Sequence, residues 1–191
     1  MTKSAKGSCF ERNICKKLSL WWSEGKDDSI FWRTSGSGAR AKTRSKQGKS
    51  TFGQYGDIQA VNPVGQILID NITFELKRGY GNKSIFDLVD SYNTTGFPEW
   101  YEQVTEDQGN ADSKYFALIT RRDRRKALII IPANLRLDMV KWFGNNVTLN
   151  VFIASVEWDK KRFLIGRFDD FVEKIDPVIF KEMLNDKDNN T

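Results

Sequence analysis

The segment "ITFELKRG", residues 72–79, has a polarity pattern that few folds can accommodate. Ile72, Phe74 and Leu76 are apolar and alternate with Thr73, Glu75 and Lys77, which is the pattern of a β-strand with one buried face. The other face carries Glu75 and Lys77, about 7 Å apart along the strand. A carboxylate and an ammonium group held between apolar residues form either an exposed ion pair or part of a functional site.

A second carboxylate, Asp57, begins the preceding predicted strand. A tight turn after that strand would set Asp57 opposite Asp70, whereas a longer connection or a bulge between 62 and 70 would set it beside Glu75. In the second register, Asp57, Glu75 and Lys77 converge at a strand end. Two carboxylates and a main-chain carbonyl form the hard-oxygen cradle that Mg²⁺ prefers. A lysine beside them can orient a water or stabilise charge on a phosphoryl oxygen.

The remaining polarity patterns predict an α/β fold in one domain, residues 1–191. An apolar stripe predicts a first helix, and Ser8 and Glu11 match a capping box at its start. Helices are predicted at 8–23, 87–92, 97–108 and 177–184, the last with Asp176 as its N-cap. Strands are predicted at 57–61, 114–120, 127–132, 147–158 and 162–166, in addition to the one that follows the turn at 62–66 and ends at Lys77. The order of these elements describes an α/β sandwich, a sheet covered by helices.

Composition excludes several classes of chemistry. The chain has no histidine, which argues against a zinc site of the usual type and removes Ser-His-Asp and Cys-His catalysis. Cys9 and Cys15 lie nearly two helical turns apart, too far for easy bridging. No apolar run approaches the roughly 20 residues that span a bilayer, and the N-terminus lacks the apolar core of a secretory signal. We therefore expect an intracellular, cytoplasmic protein whose chemistry rests on carboxylates, lysines and hydroxyls.

Positive charge is concentrated in two places. The net charge is +5, yet residues 29–56 contain no acidic residue. The basic residues of this stretch are Arg33, Arg40, Lys42, Arg44, Lys46 and Lys49. A second cluster, "RRDRRK", begins with Arg121 and Arg122 between two apolar runs. A solvated loop and a charged hairpin turn would explain each cluster separately, but together they indicate a surface for a polyanion, of which nucleic acid is the commonest.

"GDIQAV" followed by "FELK" resembles the D…E-x-K signature of the PD-(D/E)XK nuclease superfamily, with Gly56 in the place of the proline. Within it, the sequence is similar to archaeal-type and phage Holliday junction resolvases. Their helix with a glutamate, their Gly/Ser loop and their Gly-Asp pair appear in that order as "GSCFERNICKKL", "RTSGSGAR" and "YGDI". The resemblance implies a restriction-endonuclease-like core over about 7–131, a mixed sheet flanked by helices, with a C-terminal extension at 132–184. Residues 185–191 are predicted as a disordered tail.

The resemblance also implies roles for individual residues. The side chains of Asp57 and Glu75 and the backbone carbonyl of Leu76 would bind Mg²⁺, with Mn²⁺ as an alternative, and Lys77 would hold the attacking water or the phosphate. Glu11 matches the helix glutamate that helps to order metal-bound waters.

Three further residues match less specific positions of the family pattern. Ser35 and Ser37 fall where resolvases place a loop serine near the scissile phosphate. Gln103 lies on a later helix, where some members of the superfamily carry a supporting glutamine.

Each of these assignments has a structural alternative. Glu75 and Lys77 could form an exposed cross-strand pair, Asp57 could belong to an ordinary turn, and the capping box explains Glu11 fully. Gln103 could be a polar residue on a helix surface. The aromatic residues Trp21, Trp22, Phe31 and Trp32 are more typical of a core than of a base-stacking surface.

Together these patterns and the resemblance predict a Mg²⁺-dependent DNA endonuclease, specifically a homodimeric Holliday junction resolvase that cuts branched DNA, encoded by a phage or a prophage. Its two-fold interface would involve apolar strands or residues 132–191. One alternative is a sequence-specific endonuclease of the restriction or homing type, in which residues 132–191 would read bases. The other is a non-catalytic DNA-binding protein of the same fold, although a binding module has no need of carboxylates facing phosphates.

Overall fold

A computed structural model describes residues 3–34, 55–79, 85, 87 and 96–186 of the 191-residue chain. Several predictions concern residues outside these ranges: the tail at 187–191, most of the helix at 87–92, and the loop residues Ser35, Ser37, Arg40, Lys42, Arg44, Lys46 and Lys49. In the part of the chain that the structure describes, no helix is both long enough and apolar enough to span a bilayer.

The described helices are α1 Lys3–Trp22, α2 Gln66–Asn71, α3 Phe97–Ala111, α4 Ala133–Val151, α5 Phe168–Lys174 and α6 Pro177–Asn185. The described strands are β1 Phe31–Arg33, β2 Ile58–Ala60, β3 Ile72–Arg78, β4 Tyr115–Arg121, β5 Leu128–Pro132, β6 Phe152–Trp158 and β7 Lys161–Arg167.

A five-stranded mixed sheet in the order β3-β4-β5-β7-β6 forms the centre of the fold. β3 and β4 are parallel, and the other neighbours are antiparallel. β1 and β2 form a separate antiparallel pair. The predicted α/β class with a helix-flanked mixed sheet is therefore confirmed. Because β6 and β7 continue the sheet, residues beyond 132 are part of the same layer, and the boundary between core and extension stays a prediction.

Two apolar clusters cover the two faces of the sheet. On one face, β3, β4 and β5 pack against α1, α4, α5 and α6. On the other face, α3 packs through Phe97, Trp100 and Val104, as its helical spacing predicts. β3 is thus buried on both faces rather than on one, because α3 lies over the face that carries Glu75 and Lys77.

The predicted start of the first helix is wrong. Described helix α1 already begins at Lys3, so Ser8 lies inside it, where its Oγ accepts a hydrogen bond from Arg12 Nη1 at 3.2 Å. A capping box requires the serine to stand before the first helical turn. Glu11 therefore has no capping function at this position.

Two predicted strand boundaries are also wrong. Residues 147–151 belong to α4 rather than to a strand, because Thr148 and Val151 are buried with helical spacing. The polypeptide between β2 and β3 is not a turn followed by a strand. It forms a 3₁₀ turn, capped by the side chain of Asn62, and then α2. This connection is the longer one that a contact between Asp57 and Glu75 requires.

Candidate active site

The candidate site lies along β3, the first strand in the order of the central sheet. Thr73, Glu75 and Lys77 point to the α3 side, and Glu75 is only 1% exposed. A buried carboxylate costs free energy unless other groups compensate its charge. The structure therefore excludes the exposed cross-strand pair that sequence alone allowed.

Asp57 is bound to the main chain of β3 at two points. Its amide N–H donates to the carbonyl of Phe74 at 2.7 Å, and its Oδ2 accepts from the amide of Leu76 at 2.8 Å. Amide and carbonyl groups of one strand residue point to the same edge, so the carbonyl of Leu76 also points towards Asp57. The three predicted metal-binding groups, Asp57, Glu75 and the Leu76 carbonyl, thus meet on β3.

Gly56 allows this close approach. Its φ is +75°, and a Cβ atom at this position would lie 2.7 Å from the carbonyl oxygen of Phe74. Thr34 fixes the same turn from the other side, because its Oγ1 donates to the carbonyl of Gly56 at 2.8 Å and its amide donates to the carbonyl of Asp57 at 3.0 Å. Only glycine combines this backbone conformation with contact against a strand.

Lys77 connects the strand to α3. Its Nζ donates a short hydrogen bond to Glu75 Oε1 and a second, of 2.7 Å, to Gln103 Oε1. The other carboxylate oxygen, Glu75 Oε2, is buried and has no hydrogen-bond partner among the described residues. Gln103 thus contacts Lys77, which differs from the surface position that was its structural alternative, and its supporting role in the site stays a prediction.

The pKa of Glu75 is raised to about 8, chiefly by burial and secondly by the negative charge of Asp57. Lys77 acts in the opposite direction, through its charge and its hydrogen bond, and Asp107 adds a small increase. Two carboxylates that repel each other, with one buried oxygen unsatisfied, form a set of donors that fits a divalent cation. A cation at Asp57 and Glu75 would remove the repulsion that favours the protonated carboxyl group.

Glu11 lies on α1, where it forms an ion pair with Arg33. Its Oε2 lies 3.3 Å from Arg33 Nη1, and its side chain is 26% exposed. Burial is the main cause that raises the pKa of the Cys15 thiol to about 12. The negative charges of Glu11 and Asp57 contribute to the same increase. The two carboxylates therefore lie close enough to the same thiol for their charges to act on it.

The other predicted residues lie further along the sheet or elsewhere. Arg121 ends β4, directly beside Arg78 in the parallel register, and Arg122 is exposed in the following turn. The turn between β4 and β5 is the predicted charged hairpin turn.

Trp21, Trp22 and Phe31 are core residues, as predicted. Trp32 differs because it is 46% exposed.

Sequence reasoning missed Thr34 and Asp107. Asp107 is buried, and with Gln103 it forms a pair of polar residues four positions apart on one side of α3. Two polar residues at this spacing beside an apolar stripe were the signal in the sequence. Thr34 carried no comparable signal, because its function depends on the turn at Gly56.

Comparison with known proteins gives one result. Neither the comparison with curated proteins nor the comparison with solved structures found a match. The model of the family described as "Phage putative PDDEXK endonuclease" matches residues 2–182, which include β1 to β7 and every residue of the candidate site. This description supports a nuclease, and nucleases of the PD-(D/E)XK type typically use divalent metal ions. The chain belongs to this phage family of the PD-(D/E)XK nuclease superfamily.

Proposed function

We propose that this chain is a Mg²⁺-dependent DNA endonuclease that resolves four-way junctions, with Mn²⁺ as a permitted substitute. The observation that carries the proposal is the hydrogen bond between Asp57 Oδ2 and the Leu76 amide, which brings one carboxylate to the strand that carries the other. Family membership supports nuclease activity on DNA. The junction as substrate rests on the order of the helix glutamate, the Gly/Ser loop and the Gly-Asp pair.

Asp57, Glu75 and the carbonyl of Leu76 would hold the metal ion, since all three offer hard oxygen ligands. When bound, the ion supplies a water of lowered pKa and stabilises negative charge on the scissile phosphate. The unsatisfied Oε2 of Glu75 supports this assignment, because an ion would provide the partner that this oxygen lacks among the described residues.

Lys77 would act on the phosphate or on the attacking water. Glu75 and Gln103 hold its ammonium group in place by hydrogen bonds. Lys77 therefore loses little side-chain conformational entropy when the substrate binds. Water adds to phosphorus in line with the departing 3′ oxygen, which leaves with a proton. The products are a 5′-phosphate and a 3′-hydroxyl, as the superfamily implies.

A resolvase makes two symmetric cuts, and therefore we propose a two-fold homodimer. The exposed large apolar residues among the described part of segment 132–191 support it as the interface: Leu137, Leu149, Ile153 and Val178. Their side chains are apolar surface that a second copy could cover.

The proposal is tested by incubating end-labelled four-way junction, flap, duplex and single-stranded DNA with the protein, with Mg²⁺ or with EDTA. We expect junction cleavage only with Mg²⁺. Asp57→Asn and Glu75→Gln should abolish cleavage and retain binding, because removal of a carboxylate weakens metal binding but relieves repulsion of phosphate. Asp70→Asn is the matched control, since Asp70 is exposed on α2.

Each part of the proposal has its own contradicting result. Turnover by Asp57→Asn or Glu75→Gln at the wild-type rate would refute the site, and cleavage in EDTA would refute the metal requirement. Equal cleavage of duplex and junction would refute junction selectivity while leaving a nuclease. A monomer by light scattering, both free and with DNA, would refute the homodimer.

A further inference from the structure

A cavity of about 190 Å³ lies on the α1 face of the sheet, away from the carboxylates of the candidate site. α1, the end of β4 with its following turn, and the start of α5 enclose it over an apolar floor that includes Phe10 and Phe168. The polar residues that line it are Asn13, Lys17, Arg121, Lys126 and Asp169. We call this cavity the basic pocket.

The basic pocket has an excess of positive charge. Among the described residues that line it, three are cationic, Lys17, Arg121 and Lys126, and one is a carboxylate, Asp169. Asp169 Oδ1 lies 2.6 Å from the Lys17 ammonium, and its Oδ2 lies 3.8 Å from that of Lys126. One carboxylate cannot neutralise three cations, so the pocket favours an anion.

Two of the three cations of the basic pocket, Arg121 and Lys17, are held in place by hydrogen bonds. Arg121 Nε donates to the carbonyl of Arg125 at 3.0 Å, which fixes the guanidinium group against the turn. Asp169 holds Lys17 from the opposite wall. Arginine and lysine groups fixed in this way bind a phosphate group with a smaller loss of side-chain entropy than free ones.

The basic pocket and the candidate site share one end of the sheet. Arg121 is the register partner of Arg78, which directly follows Lys77, so strand geometry places the Cα atoms of Lys77 and Arg121 about 6 Å apart. The side chains point to opposite faces, with Lys77 on the α3 face and Arg121 on the α1 face. A DNA strand that crosses this end of the sheet would pass both.

We propose that the basic pocket binds a backbone phosphate of the DNA substrate, at a nucleotide other than the one that is cleaved. The proposal rests on the proposed function for the identity of the ligand. Sequence alone predicted that the basic cluster at 121–126, with Arg121 and Arg122, contacts DNA. The pocket adds Lys17 and Asn13 and groups them with Arg121 and Lys126 around one cavity. The cavity volume accommodates a phosphate group with its hydrogen-bonded oxygens.

The test is the salt dependence of DNA binding by Arg121→Gln/Lys126→Gln, made in a Glu75→Gln chain so that cleavage does not interfere. Binding to a fluorescent four-way junction is measured by anisotropy between about 50 and 200 mM salt. Loss of one phosphate contact should reduce the slope of log K against log salt by about 0.9 and weaken binding about tenfold at the lower salt.

Lys160→Gln/Arg162→Gln is the matched control, because it removes the same amount of charge. Both residues are exposed near the turn between β6 and β7. β7 runs parallel to β4, so this turn lies at the opposite end of the sheet from Arg121. The control should retain the slope and affinity of its parent. An equal slope for the pocket variant and the control would overturn the proposal.

A second variant has the opposite expected sign. Asp169→Asn removes the one carboxylate that the described residues contribute to the pocket lining, while the asparagine oxygen can still accept a hydrogen bond from Lys17. It should therefore tighten binding several-fold, whereas a purely structural Asp169 would leave affinity unchanged or reduce it. Circular dichroism confirms that each variant is folded. If the protein binds DNA through the basic pocket but does not cut it, the proposed nuclease activity is refuted and phosphate binding by the pocket is supported. A chain that cuts DNA while the pocket variant keeps its slope would refute the pocket alone.

Discussion

The amide of Leu76 donates a 2.8 Å hydrogen bond to Oδ2 of Asp57, 19 residues earlier in the chain. This bond uses the edge of β3 that no strand covers among the described residues. Asp57 therefore satisfies a strand amide and at the same time presents its carboxylate beside Glu75. The fold of the edge and the chemistry of the site depend on the same contact.

Gly56→Ala should disrupt this contact. The left-handed conformation costs alanine about 1–2 kcal/mol, and its Cβ would lie 2.7 Å from the Phe74 carbonyl oxygen. Since the backbone of β3 cannot move away as a flexible side chain could, we expect a loss of more than about 2 kcal/mol in the free energy of unfolding. Urea denaturation measures the loss, and DNA cleavage should be lost with it because Asp57 shifts.

Gly25→Ala is the control that separates the cost of the left-handed backbone conformation from the cost of the steric clash at Gly56. Its φ is +84°, but nothing lies within 4 Å of the position of its Cβ. This variant should lose only the conformational term, about 1–2 kcal/mol, and should keep its activity. Equal effects of the two substitutions on both stability and cleavage would show that the contact with Phe74 is unimportant.

The metal-free protein should lose stability as the pH rises from about 4.5 to about 8. These are the ordinary and the folded-state pKa values of Glu75, so within this window the unfolded chain has released a proton that the folded chain retains. Each pH unit lowers the free energy of unfolding by up to about 1.4 kcal/mol. Denaturation in EDTA at pH 5 and at pH 8 measures the effect.

Glu75→Gln is the control for this pH dependence, since it cannot titrate. The chain contains no histidine, so no other side chain type ordinarily titrates in the middle of the window. The variant should therefore show a much flatter profile and exceed the wild type in stability at pH 8. Parallel profiles for the two proteins would mean that Glu75 is charged in the folded protein.

The approach of Asp57 to the strand that carries Glu75 could be predicted from sequence, because "GD" and "E-x-K" each lie next to a short apolar run and only a long connection brings them together. The start of α1 could not, since Ser8 and Glu11 match a capping box whether or not the residues before them are helical. The strand predicted at 147–158 begins too early, because Val147 and Val151 fit a helix and a strand equally well. The burial of Glu75 depends on where α3 lies, which no local pattern encodes.

Gln103→Leu should reduce kcat for junction cleavage by about 10- to 100-fold, as loss of an outer-shell partner commonly does. Lys77 would lose its 2.7 Å hydrogen bond to Oε1 and keep only the one to Glu75. KM should change little, because Gln103 positions Lys77 and is not expected to contact DNA. Steady-state kinetics give both constants.

Glu102→Gln, an exposed neighbour on the same helix, is the control for this substitution and should behave as the wild type. A Gln103→Leu protein with normal kcat would show that the bond between Gln103 and Lys77 has no part in catalysis. A rise in KM alone would assign Gln103 to DNA binding instead.

Glu11→Gln should leave the fold intact and reduce kcat by at least about 10²-fold, which corresponds to about 2.7 kcal/mol of activation free energy. The continuation of α1 to Lys3 removes the capping explanation, so the interaction that remains is the 3.3 Å ion pair with Arg33. That pair is partly exposed, and its loss should cost less than about 1 kcal/mol of stability. A large effect on the rate would therefore come from the carboxylate acting in the site.

Arg33→Gln distinguishes the two possible actions of Glu11. It removes the same ion pair but keeps the Glu11 carboxylate, so a catalytic Glu11 would still function and kcat would fall far less than in Glu11→Gln. If Glu11 served only to hold Arg33, the two substitutions would reduce kcat by the same factor, and both would raise KM. Single-turnover cleavage of a four-way junction separates these outcomes, because it measures the chemical step apart from product release.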